Sequence, residues 1–67
     1  MNVHARLARN LKRLRAANGL SQEALAHEAG LHRTYLSDLE RGERNPTIDV
    51  IDRIAKAYDV TLGTLLD

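Results

Sequence analysis

The sequence predicts an all-α domain of five helices, and three observations carry the prediction. Leucine, isoleucine and alanine recur at helical spacing along the chain. Asn18-Gly19, Gly30, Gly42, Pro46 and Asp59-Val60 then cut the 67 residues into short segments. The chain also has two Tyr and neither Phe nor Trp, which leaves the core to Leu, Ile, Val and Ala, good fillers of a helix bundle. This length fits one domain, residues 1–67, with no second. A chain so short buries only about 60% of the surface its unfolded form exposes, so it needs a compact helical core, a staple or a partner subunit. With no cysteine, a disulfide staple is excluded.

Leu7, Leu11 and Leu14 stand at i, i+4 and i+7 on one stripe of a first helix running from about Val3 to Ala17, which Asn18-Gly19 ends. Ser21 offers an N-cap hydroxyl to a second helix of about eight residues. That helix has Gln22 and Glu23 in its first turn, and it carries Leu25, Ala26 and Ala29 inward before Gly30. A third helix is expected from about His32 to Arg41, with Leu36, Leu39 and His32 on its inner side and Gly42 closing it. Glu43-Arg44-Asn45-Pro46 reads as a loop, because proline disfavours helix in the residue before it. Thr47 caps a fourth helix whose Ile48, Ile51, Ile54 and Ala55 share a face, and Asp59-Val60 breaks it. Thr61 starts a last turn or two holding Leu62, Leu65 and Leu66.

A composition of 43% apolar and 28% charged residues is that of an ordinary soluble globule. The longest apolar runs are too short for a membrane span or a signal-peptide core, so a cytoplasmic protein is expected. The net charge of +1 conceals an asymmetry: residues 1–20 hold five basic side chains and no acid, whereas residues 21–67 hold five basic and nine acidic ones. A basic first helix suits a polyanion and equally suits a solvated face. His4, His27 and His32 lack the spacing and carboxylate partners of a metal site, so no metal is expected. With no glycine-rich phosphate loop and no nucleophile elbow, neither an enzyme nor a cofactor is expected.

The stretch from Gln22 to Leu39 carries the functional signal. Ala26 fits a close crossing of two helices, and Gly30, four residues on, permits the positive φ of a tight turn. Leu25, Ala29, Leu31, Leu36 and Leu39 are apolar positions that fix the angle between the helices. Two short helices joined by so few residues read as a helix-turn-helix formed by helices 2 and 3. The segment GLSQEALAHEAGLHRTYLSDLERGERNPTIDVIDRIAKAYDVTLGTLL resembles the phage repressor and Cro (XRE) type of helix-turn-helix domain, a likeness covering about residues 7–66. Within that family His32-Arg33-Thr34-Tyr35-Leu36-Ser37 is similar to the recognition helix of restriction-modification controller proteins, small dimeric transcription regulators. The resemblance implies a lambda-repressor-like fold of five helices. Its third helix would lie in the major groove of double-stranded DNA, its second across the backbone, and a homodimer would read a palindromic or direct-repeat operator.

The outward arc of the third helix holds Ser37, Thr34, Arg41 and Asp38, with Arg33 and Tyr35 on the flanks. Arg33 can fork onto guanine O6 and N7 or grip a phosphate, and Thr34 can meet a thymine methyl. Ser37 completes the candidate base readers with Asp38, which can accept from cytosine N4 or pair with Arg41 at i+3. Tyr35 serves equally as packing or as a backbone contact. Ser21 and Gln22, at the start of the second helix, are placed to bind a phosphate. Arg41, Arg44 and Asn45 resemble the family's second phosphate clamp, and Thr47 stands near where some members place a minor-groove Arg. The resemblance pairs Glu40 with an arginine of the first helix, here Arg15, as a structural ion pair. Because the last helix is too short to stand alone, Leu62 and Leu65 are expected in a two-fold dimer interface, with Tyr58 and Leu66 facing the core. The reading is a homodimeric regulator on a promoter operator, with RNA polymerase as an implied partner. Two alternatives stand beside it: the antitoxin of a toxin-antitoxin pair, and a protein-interaction module that has lost DNA binding.

Overall fold

The computed structural model describes residues 2–67 and contains five α-helices: α1 (Val3–Asn18), α2 (Gln22–Ala29), α3 (Arg33–Glu40), α4 (Ile48–Tyr58) and α5 (Leu62–Leu66). Side-chain caps open four of them: Asn2, Ser21, Thr47 and Thr61 each accept a hydrogen bond from the backbone N–H three residues on. Each cap satisfies one of the donors that the first turn of a helix leaves unpaired. The third helix differs from the expected span. The extended backbone that turns the chain into α3 still includes His32, so the helix starts at Arg33; His32 is its exposed N-cap and, unlike the other four, makes no side-chain cap bond.

Three helices end in left-handed backbone, at Gly19, Gly30 and Asp59. Gly30 shows why the turn between α2 and α3 needs glycine. A Cβ there would meet nothing within 4 Å, yet φ is +69°, which strains any L side chain. The Leu31 N–H donates back to the Ala26 carbonyl at 2.8 Å, closing the end of α2 and aiming the chain into α3.

All five helices contribute to one core of Leu7, Leu11, Leu25, Ala26, Ala29, Leu36, Leu39, Ile51, Ile54, Ala55 and Leu65. Helix α1 packs against α3 and α5, α2 against α3 and α4, and α4 against α5. Fully burying a leucine or isoleucine side chain is worth about 1.5–3 kcal/mol, so this cluster dominates the stability of so small a fold. The short α5 is held by more than Leu65. Asn10 Nδ2 donates to the Leu65 carbonyl at 2.8 Å and an Arg9 guanidinium N–H to the Asp67 carbonyl at 2.9 Å, so α1 satisfies acceptors that a helix end leaves open.

Two apolar positions depart from expectation. Ile48 is 63% exposed, although it was expected on the face of Ile51, Ile54 and Ala55. The covered side of α4 runs through Ile51, Ile54 and Ala55, with Tyr58 packed beside them, and Ile48 sits at its margin in the first turn. Leu65, expected at a subunit interface, is completely buried within the chain and has no surface to offer a partner. Of that pair only Leu62 retains exposure, half-buried against the core as Tyr58 and Leu66 also are. Among the described residues no helix is long and apolar enough to cross a membrane.

Candidate nucleic-acid interface

Leu36 and Leu39 anchor α3 in the core and thereby turn its other side outward. Arg33 and Thr34 are exposed on its first turn, with Ser37 and Asp38 half-buried and Arg41 exposed at its end. These five side chains and Gln22 of α2 line one shallow cleft of about 180 Å³. The cleft is too small and open for a small-molecule site, but its rim is the continuous edge of α3 beside the start of α2.

A charge pair fixes this edge to the rest of the fold. Glu40 is buried on the inner side of α3, where Arg15 of α1 donates to both of its oxygens, Nε to Oε2 at 2.6 Å and a terminal N–H to Oε1 at 2.8 Å. Gln22 Nε2 donates to Oε1 at 3.1 Å, and the remaining Arg15 nitrogen donates to the Leu20 carbonyl at 3.0 Å. One carboxylate therefore ties α1, α2 and α3 together. Burial pushes the Glu40 carboxyl up, but the hydrogen bonds from Arg15 and Gln22 and the charges of Arg15 and Lys12 outweigh it, so its pKa lies below the usual carboxylate value. The Arg15 guanidinium is correspondingly raised, chiefly by its hydrogen bond to Glu40. Tyr58 lies near this pair, with its buried hydroxyl lacking a hydrogen-bond partner and its pKa raised by burial.

Another network lies on the outer side of α3. Arg41 donates to Ser37 Oγ at 2.8 Å, to Glu43 Oε2 at 3.1 Å and to Asp38 Oδ1. Arg44 Nε donates to Asp38 Oδ2 at 3.2 Å, and its guanidinium lies 5.2 Å from the centre of the Tyr35 ring. The i+3 pairing of Asp38 with Arg41 was open to sequence reasoning; the pairing with Arg44 was not, because a loop separates the two. Asn45 is held as well: its Oδ1 accepts from His4 Nε2 at 2.9 Å, which ties the loop after α3 to the start of α1. Neither the His4 link nor the Gln22 link has a signature in local spacing. Ser21 is exposed and engaged as the α2 cap, so its hydroxyl already accepts from the Ala24 N–H at 3.0 Å. Tyr35, half-buried, packs against the core. Among the described residues no cluster of His, Asp and Glu is placed to hold a metal ion.

Two eight-residue helices, a glycine turn between them and a polar outer edge on the second define a helix-turn-helix protein. The chain belongs to the helix-turn-helix family HTH_3, whose model matches residues 11–65. It is 43% identical over 67 residues to the control protein C.BamHI of Bacillus amyloliquefaciens, across 98% of this chain and 83% of that protein. It is 44% identical over 66 residues to the control protein C.SmaI of Serratia marcescens, across 98% of this chain and 79% of that one. The crystal structure of the restriction-modification controller protein C.AhdI from Aeromonas hydrophila matches with a TM-score of 0.89 and 40% identity, over 92% of this chain and 94% of that chain. The chain is also 36% identical over 62 residues to the HTH-type transcriptional regulator SinR of Bacillus subtilis, across 91% of this chain and 56% of that protein, so the relatives are named as regulators and control proteins, a non-enzymatic class.

Proposed function

We propose that this chain is a sequence-specific, duplex-DNA-binding transcription regulator that acts as a homodimer on a promoter operator, where it excludes or touches RNA polymerase. The observation that carries the reading is the outer edge of α3, where Arg33, Thr34, Ser37, Asp38 and Arg41 converge on one cleft opposite the buried Leu36 and Leu39. A helix presenting such an edge enters the major groove, which is about 12 Å wide. Arg33, exposed on the first turn, is then placed to reach guanine O6 and N7, and Thr34 a thymine methyl or an acceptor, while Ser37 and Asp38 face the next bases. Ser21 and Gln22 at the start of α2 flank one backbone, and Tyr35, Arg41, Arg44 and Asn45 flank the other. The naming of relatives as controller proteins supports the regulatory part of the reading.

The dimer is proposed through Leu62 and its surroundings, and to read successive major grooves its two copies of α3 would lie about 34 Å apart, one DNA turn. Selection from a randomised duplex pool, followed by binding titrations at several salt concentrations, tests the whole. Arg33→Ala should weaken the selected duplex by about 1–3 kcal/mol and mixed-sequence DNA far less. A wild type that enriches no sequence refutes the proposal. Equal losses on both duplexes would make Arg33 a phosphate contact and leave Thr34, Ser37 and Asp38 to set the preference.

A further inference from the structure

We propose that Asp38 is an internal stand-in for a DNA phosphate: it occupies Arg41 and Arg44 in the free protein and so holds down affinity for non-operator DNA. The inference rests on the DNA-binding reading above and deepens it. Each oxygen of the Asp38 carboxylate serves a different arginine, Oδ1 for Arg41 and Oδ2 for Arg44, much as two oxygens of one phosphate bridge two cations. The exposures are unequal. The Asp38 side chain is 16% exposed, whereas those of Arg41 and Arg44 are 52% and 51% exposed. The carboxylate is covered and takes its hydrogen bonds from these two arginines, whereas both arginines keep half of their surface open to another anion.

Any duplex that approaches α3 must therefore compete for both arginines, and each one withdrawn to a phosphate leaves a carboxylate facing a polyanion. Mixed-sequence DNA offers only electrostatic attraction in exchange, and that attraction is the part Asp38 reduces. A cognate sequence adds base contacts from Arg33 and Thr34, and a cytosine N4 amine beside Asp38 would give its freed carboxylate a donor. The carboxylate thus taxes every sequence but is offset only on the matching one. Glu43 assists by holding Arg41 Nε at 3.1 Å, but it is exposed and not shared between two cations.

The test compares wild type with Asp38→Asn, using a mixed-sequence duplex and the duplex that wild type enriches from a randomised pool, with thermal melts of both proteins as the folding control. The Asn variant should bind the mixed duplex about three- to tenfold more tightly at low salt, with a salt dependence steeper by about one unit. Its gain on the enriched duplex should be smaller, so the ratio between the two falls. Unchanged or weaker binding of the variant to the mixed duplex overturns the proposal. A second measurement needs no variant. In wild type, the Nε–Hε resonances of Arg41 and Arg44 should stay near their free positions on the mixed duplex and shift on the enriched one; equal shifts on both also overturn it. A wild type that binds no duplex removes the DNA-binding reading and this proposal together, whereas one that binds while the variant gains nothing removes this proposal alone.

Discussion

Glu40→Gln is the most searching perturbation of this fold, because the carboxylate receives three donors from two helices and is itself buried. The glutamine keeps the volume and one acceptor but sets an N–H₂ group against the Arg15 guanidinium. Breaking a fully buried ion pair destabilises by about 3–5 kcal/mol, since the remaining charge has no counterion. The Arg15 side chain retains 23% exposure, so water recovers part of that, and about 2–3 kcal/mol is expected. For a domain this small each kcal/mol moves the melting temperature by about 4–8 °C, so the midpoint should fall by roughly 10–20 °C. Differential scanning calorimetry on wild type, Glu40→Gln, Arg15→Gln and the double variant measures both the loss and the coupling between the two sites. The sign with pH follows from the lowered Glu40 pKa. A carboxyl depressed in the folded state adds stability that is present above its unfolded pKa of about 4.3 and lost as pH falls through the folded value. Wild type should thus lose its advantage over the variant on acidification below about pH 4. A midpoint within about 2 °C of wild type at neutral pH, or additive single losses, would refute the assignment.

Three further outcomes are expected. Leu36→Ala should cost about 2–5 kcal/mol in chemical denaturation, because this completely buried side chain anchors α3 and leaves a cavity when truncated. Asp59→Gly should stabilise by up to about 1 kcal/mol, since Asp59 holds a left-handed φ of 55° at the end of α4 where glycine is unstrained; an unchanged or lowered midpoint would contradict this. Leu62→Asp should weaken self-association in sedimentation equilibrium with little change in the fold's helicity, and a wild type that stays monomeric at high micromolar concentration would argue against the interface.

Features set by a few neighbouring residues were legible in the sequence. Ser21, Thr47 and Thr61 were readable as helix starts because a cap is a bond to the third residue on, and Gly30 as a turn because its backbone angle is local. Features decided by another helix were not. Ile48 and Ile51 lie three residues apart with similar periodicity, yet one is exposed and the other buried, since only packing decides where the covered face of α4 ends. Leu62 and Leu65 could not be separated either: which of them α1 covers depends on where five residues settle against a helix far away in sequence. At the site, the outward positions of Arg33 and Thr34 follow from the inward leucines. The sharing of Asp38 between Arg41 and Arg44 depends on the path of a loop, and the attachment of Gln22 to Glu40 on the crossing of two helices.

Of the five described helices, α3 alone opens without a side-chain cap, while its far end is tied by Arg41 and Glu43 N–H groups donating to the Ser37 and Asp38 carbonyls and by the arginine network. The two ends should therefore exchange amide hydrogens at different rates, fastest around Thr34 and Tyr35 and slowest near Leu39. Protection of that kind would place Arg33 and Thr34 on a turn that opens more readily than the end held by the arginine network. The first turn would then adjust to what it meets while the buried Leu36 and Leu39 keep the helix axis where the core has set it.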